Sequence, residues 1–527
     1  MYDLLILHGK IISGLGNPWF WGDVAVVGQK IVKIGRLDKE AAAKVIDAQG
    51  CFVTPGFIDG HSHSDLALLV DPGAEQKVMQ GVTTENVGLD GMSVAPMVER
   101  YIKDWRRHLS GLAGDPPIEW HWRSFSDYLD AIDALPPSLN ITSYVGLGPI
   151  RLGVMGMTDR EAIEDEIRQM GQIAAAAMEE GARGVSAGLI YPPGQYQSLA
   201  EILEIARVVQ ERDGIFDVHM RGESKGIIEA IEEVLEVGRQ TGIHVLITHF
   251  KVRGKENWHL LDKAFKLLDK ARQEGIDVTL AQYPYTAGST MLQAVIPPWY
   301  HAGGPDELIR LIREERESIK RDIRKRVDWE NIAATIGWEN IVVSSVESAA
   351  NKQYGGKNMV EIASMRSLTD PTDAALDLLA EEELAVGMIG FGFSEENVMA
   401  IMKHPTVSFI TDGLLGGEHP HPRVYGTYPR ILGRYVREKG ILSFEEAIRK
   451  MTSLPAEKLK LRSKGVIGEN FDADITIFDP ATIIDQATYE NPKQFSSGII
   501  CVIVNGKVVV ENGAHTRATP GRTIRGR

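Results

Sequence analysis

Cysteine is nearly absent from this sequence, with only Cys51 and Cys501 in 527 residues. That excludes a disulfide framework and a CxxC metal site, and we expect a reducing, cytoplasmic compartment with inert thiols. No apolar run approaches the roughly 18 residues of a membrane span, and the run Leu4–Leu7 is read as too short and too soon charged for a signal peptide. An excess of positive charge is missing as well. Lys+Arg 57 against Asp+Glu 72 gives a net charge of −15. Such a surface repels phosphate backbones and anionic bilayers, so neither nucleic acid nor membrane is an expected partner. What is present is ordinary globular usage, 43% apolar and 24% charged, which excludes a mainly disordered chain. A homo-oligomer stays open.

The two ends resemble each other and differ from the middle. Short β-type runs broken by glycine occupy the start (Leu4–Leu7, Val24–Val27, Ile31–Ile34) and recur near the end (Ala473–Asp479, Gly498–Val504, Lys507–Val510, with Asn505-Gly506 as a hairpin turn). We expect residues 1–54 and 464–527 to build one small β-sandwich domain, with two unrelated β caps as the alternative. Residues 55–463 have a βα rhythm. Gly56–His63, Gly81–Asp90, Asn140–Gly148, Gly184–Ile190, Gly214–Arg221, Gly242–Phe250, Ile276–Tyr283 and Thr406–Asp412 read as strands. Between several of them lie helical patterns, such as Leu199–Arg212 and Gly226–Arg239. Eight parallel strands alternating with helices give an α/β fold class, a (β/α)8 TIM-like barrel. An open doubly wound sheet is the alternative, but no GxGxxG follows the first strand. The long connection between strands seven and eight holds an insertion at 286–393, with a charged helix at Pro305–Val327. A lid and a decorative subdomain are equally consistent with it.

The chemistry is carried by histidines. In Pro55-Gly56-Phe57-Ile58-Asp59-Gly60-His61-Ser62-His63, residues two apart in a strand point to the same side. His61 and His63 would therefore project together at the C-terminal end of the first strand, where barrel active sites lie. By itself such a pair is as well explained by chance or core packing. His219 ends the fifth strand, His249 the sixth and Asp412 the eighth. Metal-competent side chains at matched strand ends read as a site. His244 is five residues from His249, faces the other way and reads as structural. His419 and His421 fall in a loop, either solvated or touching substrate.

These segments resemble the amidohydrolase superfamily, and within it the N-acyl-D-amino-acid deacylases (D-aminoacylases). The resemblance covers nearly the whole chain. It includes Thr54–Asp65, Gly81–Thr84, Ser186–Gly194, His219–Glu223, Thr248–Lys251, Tyr283–Thr290, His421–Thr427 and Thr452–Ala456. It implies a metal-dependent amidohydrolase with one or two zinc ions. It assigns His61 and His63 to one metal position, His219 and His249 to the other, and Asp412 to proton transfer. It also implies that Lys251, Tyr283, Ser289 and Arg423 hold a substrate carboxylate; Tyr191, after the fourth strand, could shape the pocket or simply end the strand. The expected partner is a small-molecule amide with a carboxylate.

Two departures from the family pattern stand out. Where relatives commonly carry Gly-Asn-Cys-Gly, this chain reads Gly88-Leu89-Asp90-Gly91, so Asp90 takes the place of the cysteine ligand. Carboxylate is an acceptable zinc ligand and can bridge two ions, though its hardness admits manganese or iron as lesser alternatives. Asp90 is also readable as a turn residue. The fourth strand offers no lysine to serve as a bridge. Val145-Gly146-Leu147-Gly148 stands where Gly-His-Gly is expected, and Leu147 cannot bind metal. The expected reaction is hydrolysis of an N-acyl-D-amino acid or a related N-acyl compound by activated water, with Asp412 as general base and then acid. A cyclic amidase of hydantoinase or dihydropyrimidinase type is the alternative, and a catalytically dead assembly protein the remote one.

Overall fold

A computed structural model describes residues 1–37, 42–325 and 328–526. Both chain ends enter a single nine-stranded sheet. The seam is the antiparallel ladder of Phe52–Pro55 with Ile475–Phe478, in which Val53 faces Ile477. Ile6, Val24, Val53, Ile475 and Ile503 are buried together on it. The Asn505-Gly506 turn joins Ile499–Val504 to Lys507–Glu511 with both residues at positive φ, 49° and 75°, the backbone a tight two-residue hairpin requires.

Eight parallel segments run through the middle of the chain. The first is Phe57–Asp59 with Ser62–His63, and the second is Val82–Val87. The third is Asn140–Ser143 with Val145–Gly146, and the fourth is Gly184–Gly188. Ile215–His219, His244–Ile247 and Val278–Gln282 are the fifth, sixth and seventh. The eighth is Val407–Phe409 with Gly413–Leu414. Parallel ladders join the first to the second, the second to the third, and then the third in order to the eighth. Gly413–Leu414 pairs in parallel with Ser62–His63. The helices between follow their sequence signals. Ser198 and Glu201 form a capping box at the start of Leu199–Gln210, which buries Ile202, Ala206 and Val209 on one face. Ile227–Thr241 buries Ile231, Val234 and Leu235, and its C-cap is Gly242 in the left-handed region.

The insertion is an element of its own. Ala287–Met291, Ile341–Ser345 and Gly387–Phe391 form a three-stranded antiparallel sheet. Leu292, Ile309, Ile323, Leu376 and Met388 belong to a hydrophobic cluster separate from the main one. The helix expected at Pro305–Val327 is two helices, Pro305–Glu314 and Arg316–Lys325. Its last two positions, Arg326 and Val327, lie outside the described residues. Among the described residues no helix is long and apolar enough to cross a membrane.

Candidate metal centre

His61, His63, Asp90 and Asp412 are all buried, and their ligand atoms lie within 4.8 Å of one another. Asp90, His219 and His249 form a second such group, sharing Asp90 with the first. His63 Nε2 is 3.5 Å from Asp90 Oδ2 and 3.3 Å from Asp412 Oδ1. His61 Nε2 is 3.7 Å from Asp90 Oδ1 and 3.6 Å from Asp412 Oδ1. On the other side, Asp90 reaches His249 Nε2 at 3.3 Å and His219 Nδ1 at 3.7 Å. Most of these separations are long for hydrogen bonds. They match ligands around a shared ion, since bonds of about 2.1 Å in a tetrahedron put neighbouring donors about 3.4 Å apart. Both ring nitrogens of His219 are buried without a hydrogen-bond partner, which costs free energy unless something else binds them. The nitrogen and oxygen donors present therefore fit a divalent ion at each group. Asp412 belongs to the first group as well as being the expected proton carrier, and that double position was not legible in the sequence.

The backbone pays for this convergence. Asp90, His249 and Asp412 take positive φ values of 52°, 33° and 50°, a region sparsely used by non-glycine residues and concentrated at functional sites. Asp90 is thus in a turn and also shared by both groups of ligand atoms. Several interactions hold the side chains. Thr248 Oγ1 lies 2.5 Å from His61 Nδ1, which leaves Nε2 facing the cluster. The Lys77 ammonium, fully buried, donates to Asp59 (2.6 Å), Ser62 (2.8 Å) and Thr411 (2.7 Å), linking the first strand to the residue before Asp412. Glu223 lies behind the second group, 3.2 Å from His249 Nδ1 and 3.7 Å from His219 Nε2. Neither Lys77 nor Glu223 was singled out from the sequence. Glu223 is four residues beyond His219, a spacing that carries no signal once the strand has ended.

The electrostatics favour ionised acids. Burial raises the Asp412 carboxyl, but Arg423 and His63 outweigh it and hold it well below the usual range. Asp90 is likewise held low by His249 and His61 against burial. Burial lowers His63, yet Asp412 and Asp90 push it up to about 9. Such an acid-rich pocket stabilises positive charge within it.

A small cavity lies beside these groups, and His63, Asp90, His219, His249 and Asp412 are among its lining residues. Lys251, Tyr283, Ser289 and Tyr191 line it too. Lys251 is bound to Glu223 and donates to the His249 carbonyl at 2.9 Å. Ser289 Oγ donates to the Met388 carbonyl at 2.9 Å, and Tyr191 meets Thr290 at 2.9 Å. Arg423 is placed differently from the expectation. Its Nη1 lies 2.8 Å from Asp412 Oδ2 and its guanidinium stacks over Tyr283, with no exposure. The insertion contributes Ser289, Ile332, Ile336, Met388 and Phe393 to the walls. His244 points away, to Asp277 and Thr279. His421 is buried rather than solvated, and its Nδ1 accepts from the Arg423 amide at 3.0 Å. Leu147 is buried core at the start of helix Leu147–Met155.

The fold and the cluster define a metal-dependent enzyme that acts on amides. The model of the amidohydrolase family matches residues 44–317 and 340–510, and the chain belongs to that family. It is 35% identical over 523 residues to an N-acyl-D-glutamate deacylase of Alcaligenes xylosoxydans xylosoxydans, covering 99% of this chain and 96% of the relative. A D-aminoacylase from the same organism is 32% identical over 532 residues, covering 99% and 97%. The crystal structure of an N-acyl-D-glutamate deacylase from Bordetella bronchiseptica, complexed with zinc and a phosphonate inhibitor, superposes with a TM-score of 0.84 at 33% identity, covering 99% of each chain.

Proposed function

We propose that this chain hydrolyses the amide bond of N-acyl-D-amino acids. The observation that carries the reading is the pair of buried ligand groups sharing Asp90, beside a cavity whose lining also offers cationic and hydroxyl donors. His61, His63 and Asp90, with Asp412 in reach, would hold one ion, and Asp90, His219 and His249 a second. Zinc is our choice, supported by these nitrogen and oxygen donors and by the zinc-complexed relative. When bound, such an ion polarises the amide carbonyl and lowers the pKa of a water toward about 7.

The chain's own residues do the rest. Asp412, kept ionised by Arg423, accepts the water proton on its carboxylate. It then delivers that proton to the departing amine nitrogen, which is otherwise a poor leaving group. Arg423 orients Asp412 and so acts one step back from the substrate. Lys251, Tyr283, Ser289 and Tyr191 are the candidates for holding the substrate carboxylate. We further infer that the eight strands close a (β/α)8 barrel over 55–463. Residues 1–54 and 464–527 would form a separate sandwich-like β domain, and 286–393 a lid. The ladder between first and eighth strands and the separate core of the insertion support this.

The test is a screen of the zinc-loaded protein against N-acetyl-D-amino acids, their L counterparts, and hydantoin and dihydrouracil. Hydrolysis of the D series is expected. Ring opening without linear hydrolysis would replace this reading with a cyclic amidase.

A further inference from the structure

A second cavity, of about 600 Å³, opens between the C-terminal tail and the turn after helix Ser453–Lys458. It sits where strands begin. Arg183 directly precedes Gly184–Gly188, and Asp213 lies two residues before Ile215–His219. His219 ends that same strand, so this cavity and the metal centre occupy opposite rims. Its lining carries seven arginines and lysines against two aspartates, on a chain with a net charge of −15.

Several of these cations are already paired. Lys460 binds Asp213, Lys464 binds Asp472 at 3.2 Å, and Arg525 binds Asp130 at 2.5 Å. Arg462 and Arg522 are exposed, and among the described residues neither guanidinium has a hydrogen-bond or ion-pair partner. The frame that presents them is built rather than loose. The tail runs beside the third strand, with Ile141 N bonded to the Arg522 carbonyl at 2.9 Å and Ile524 N to the Ile141 carbonyl at 2.7 Å. Arg183 clamps the tail by donating to the carbonyls of Ile524 and Arg525, both at 3.0 Å. Met178, Leu459, Leu461 and Ile524 give the cavity an apolar wall.

We propose that this cavity binds a small phosphate-bearing molecule, with its phosphate on Arg462 and Arg522. A guanidinium presents parallel donors that match phosphate oxygens. The volume falls within the range of small-molecule sites, and the acidic remainder of the surface repels extended polyanions. The apolar wall suits an organic body attached to the phosphate.

Calorimetric titration of the metal-loaded protein with adenosine monophosphate, adenosine and inorganic phosphate, at matched ionic strength, tests this. Adenosine monophosphate should bind more tightly than adenosine. The double variant Arg462→Ala/Arg522→Ala should weaken it about tenfold or more and leave kcat/KM for deacylation unchanged, with Arg462→Gln/Arg522→Gln as a milder companion. Tighter binding than inorganic phosphate identifies an ester as occupant, and equal binding identifies the free anion. Affinity no better than adenosine's would overturn the proposal. So would affinity unchanged in both variants, which is the outcome if phosphate binds only at the metal centre.

Discussion

At the scale of the residue, Asp412 has the most exposed role. Replacing it with Asn keeps the shape but removes the proton acceptor. Asp412→Asn should retain metal through Asp90, His219 and His249 and lose kcat by roughly hundreds-fold or more, read by metal analysis beside steady-state kinetics. Near-normal turnover would end the assignment. Glu223→Gln tests a group that lies behind His249 and His219 and is not among the cavity's lining residues. It stands 3.2 Å from His249 Nδ1, and carboxylates behind metal-binding imidazoles typically account for about 10–100-fold in metal affinity. Zinc competition with a chelator should show a loss of that size. The convergence of His61, His63, His219 and His249 was legible because strand ends and two-residue alternation are local patterns. Lys77 and Glu223 were not, because each acquires its meaning from partners on other segments. The pairing of Arg423 with Asp412 was not legible, since only the fold brings residue 423 against residue 412.

At the scale of the element, strands and helices followed hydrophobic period and caps, and the insertion did not. Its charged segment read as one helix but turns between Glu314 and Arg316. Its strands Ala287–Met291 and Gly387–Phe391 pair across about a hundred residues, which no local window reveals. The contact between helix Ile102–Ala113 and the insertion contains two buried histidines, His108 and His301. Burial lowers His108 to about 3 and His301 to about 4. Both folded values lie below the unfolded value of about 6.5, so folding favours the neutral rings. Their contribution is complete above pH 6.5 and is lost as pH falls from there toward about 4 for His301 and about 3 for His108. Thermal unfolding followed from pH 8 to pH 4 should show that decline, and His108→Gln/His301→Gln should flatten it. On helix Ile227–Thr241, Ile231 is fully buried. Ile231→Ala should cost about 2–5 kcal/mol, measured by denaturant unfolding.

At the scale of the whole molecule, two ends far apart in sequence share one sheet, and eight parallel strands bring four imidazoles and two carboxylates to one place. Composition bounded this outcome without locating it; the histidine spacing located it. A cluster with His219 unsatisfied and Asp90 shared between two groups is a folded state that an ion stabilises by mass action. Exhaustive chelation should therefore abolish hydrolysis and lower the melting temperature, and zinc should restore both. The most direct measurement is an anomalous-difference map from crystals of the zinc-loaded protein at the zinc absorption edge. A peak within bonding distance of His61 Nε2, His63 Nε2 and Asp90, with or without a second beside His219 and His249, is the expected result. A fully zinc-loaded crystal with no peak among these side chains would contradict the account.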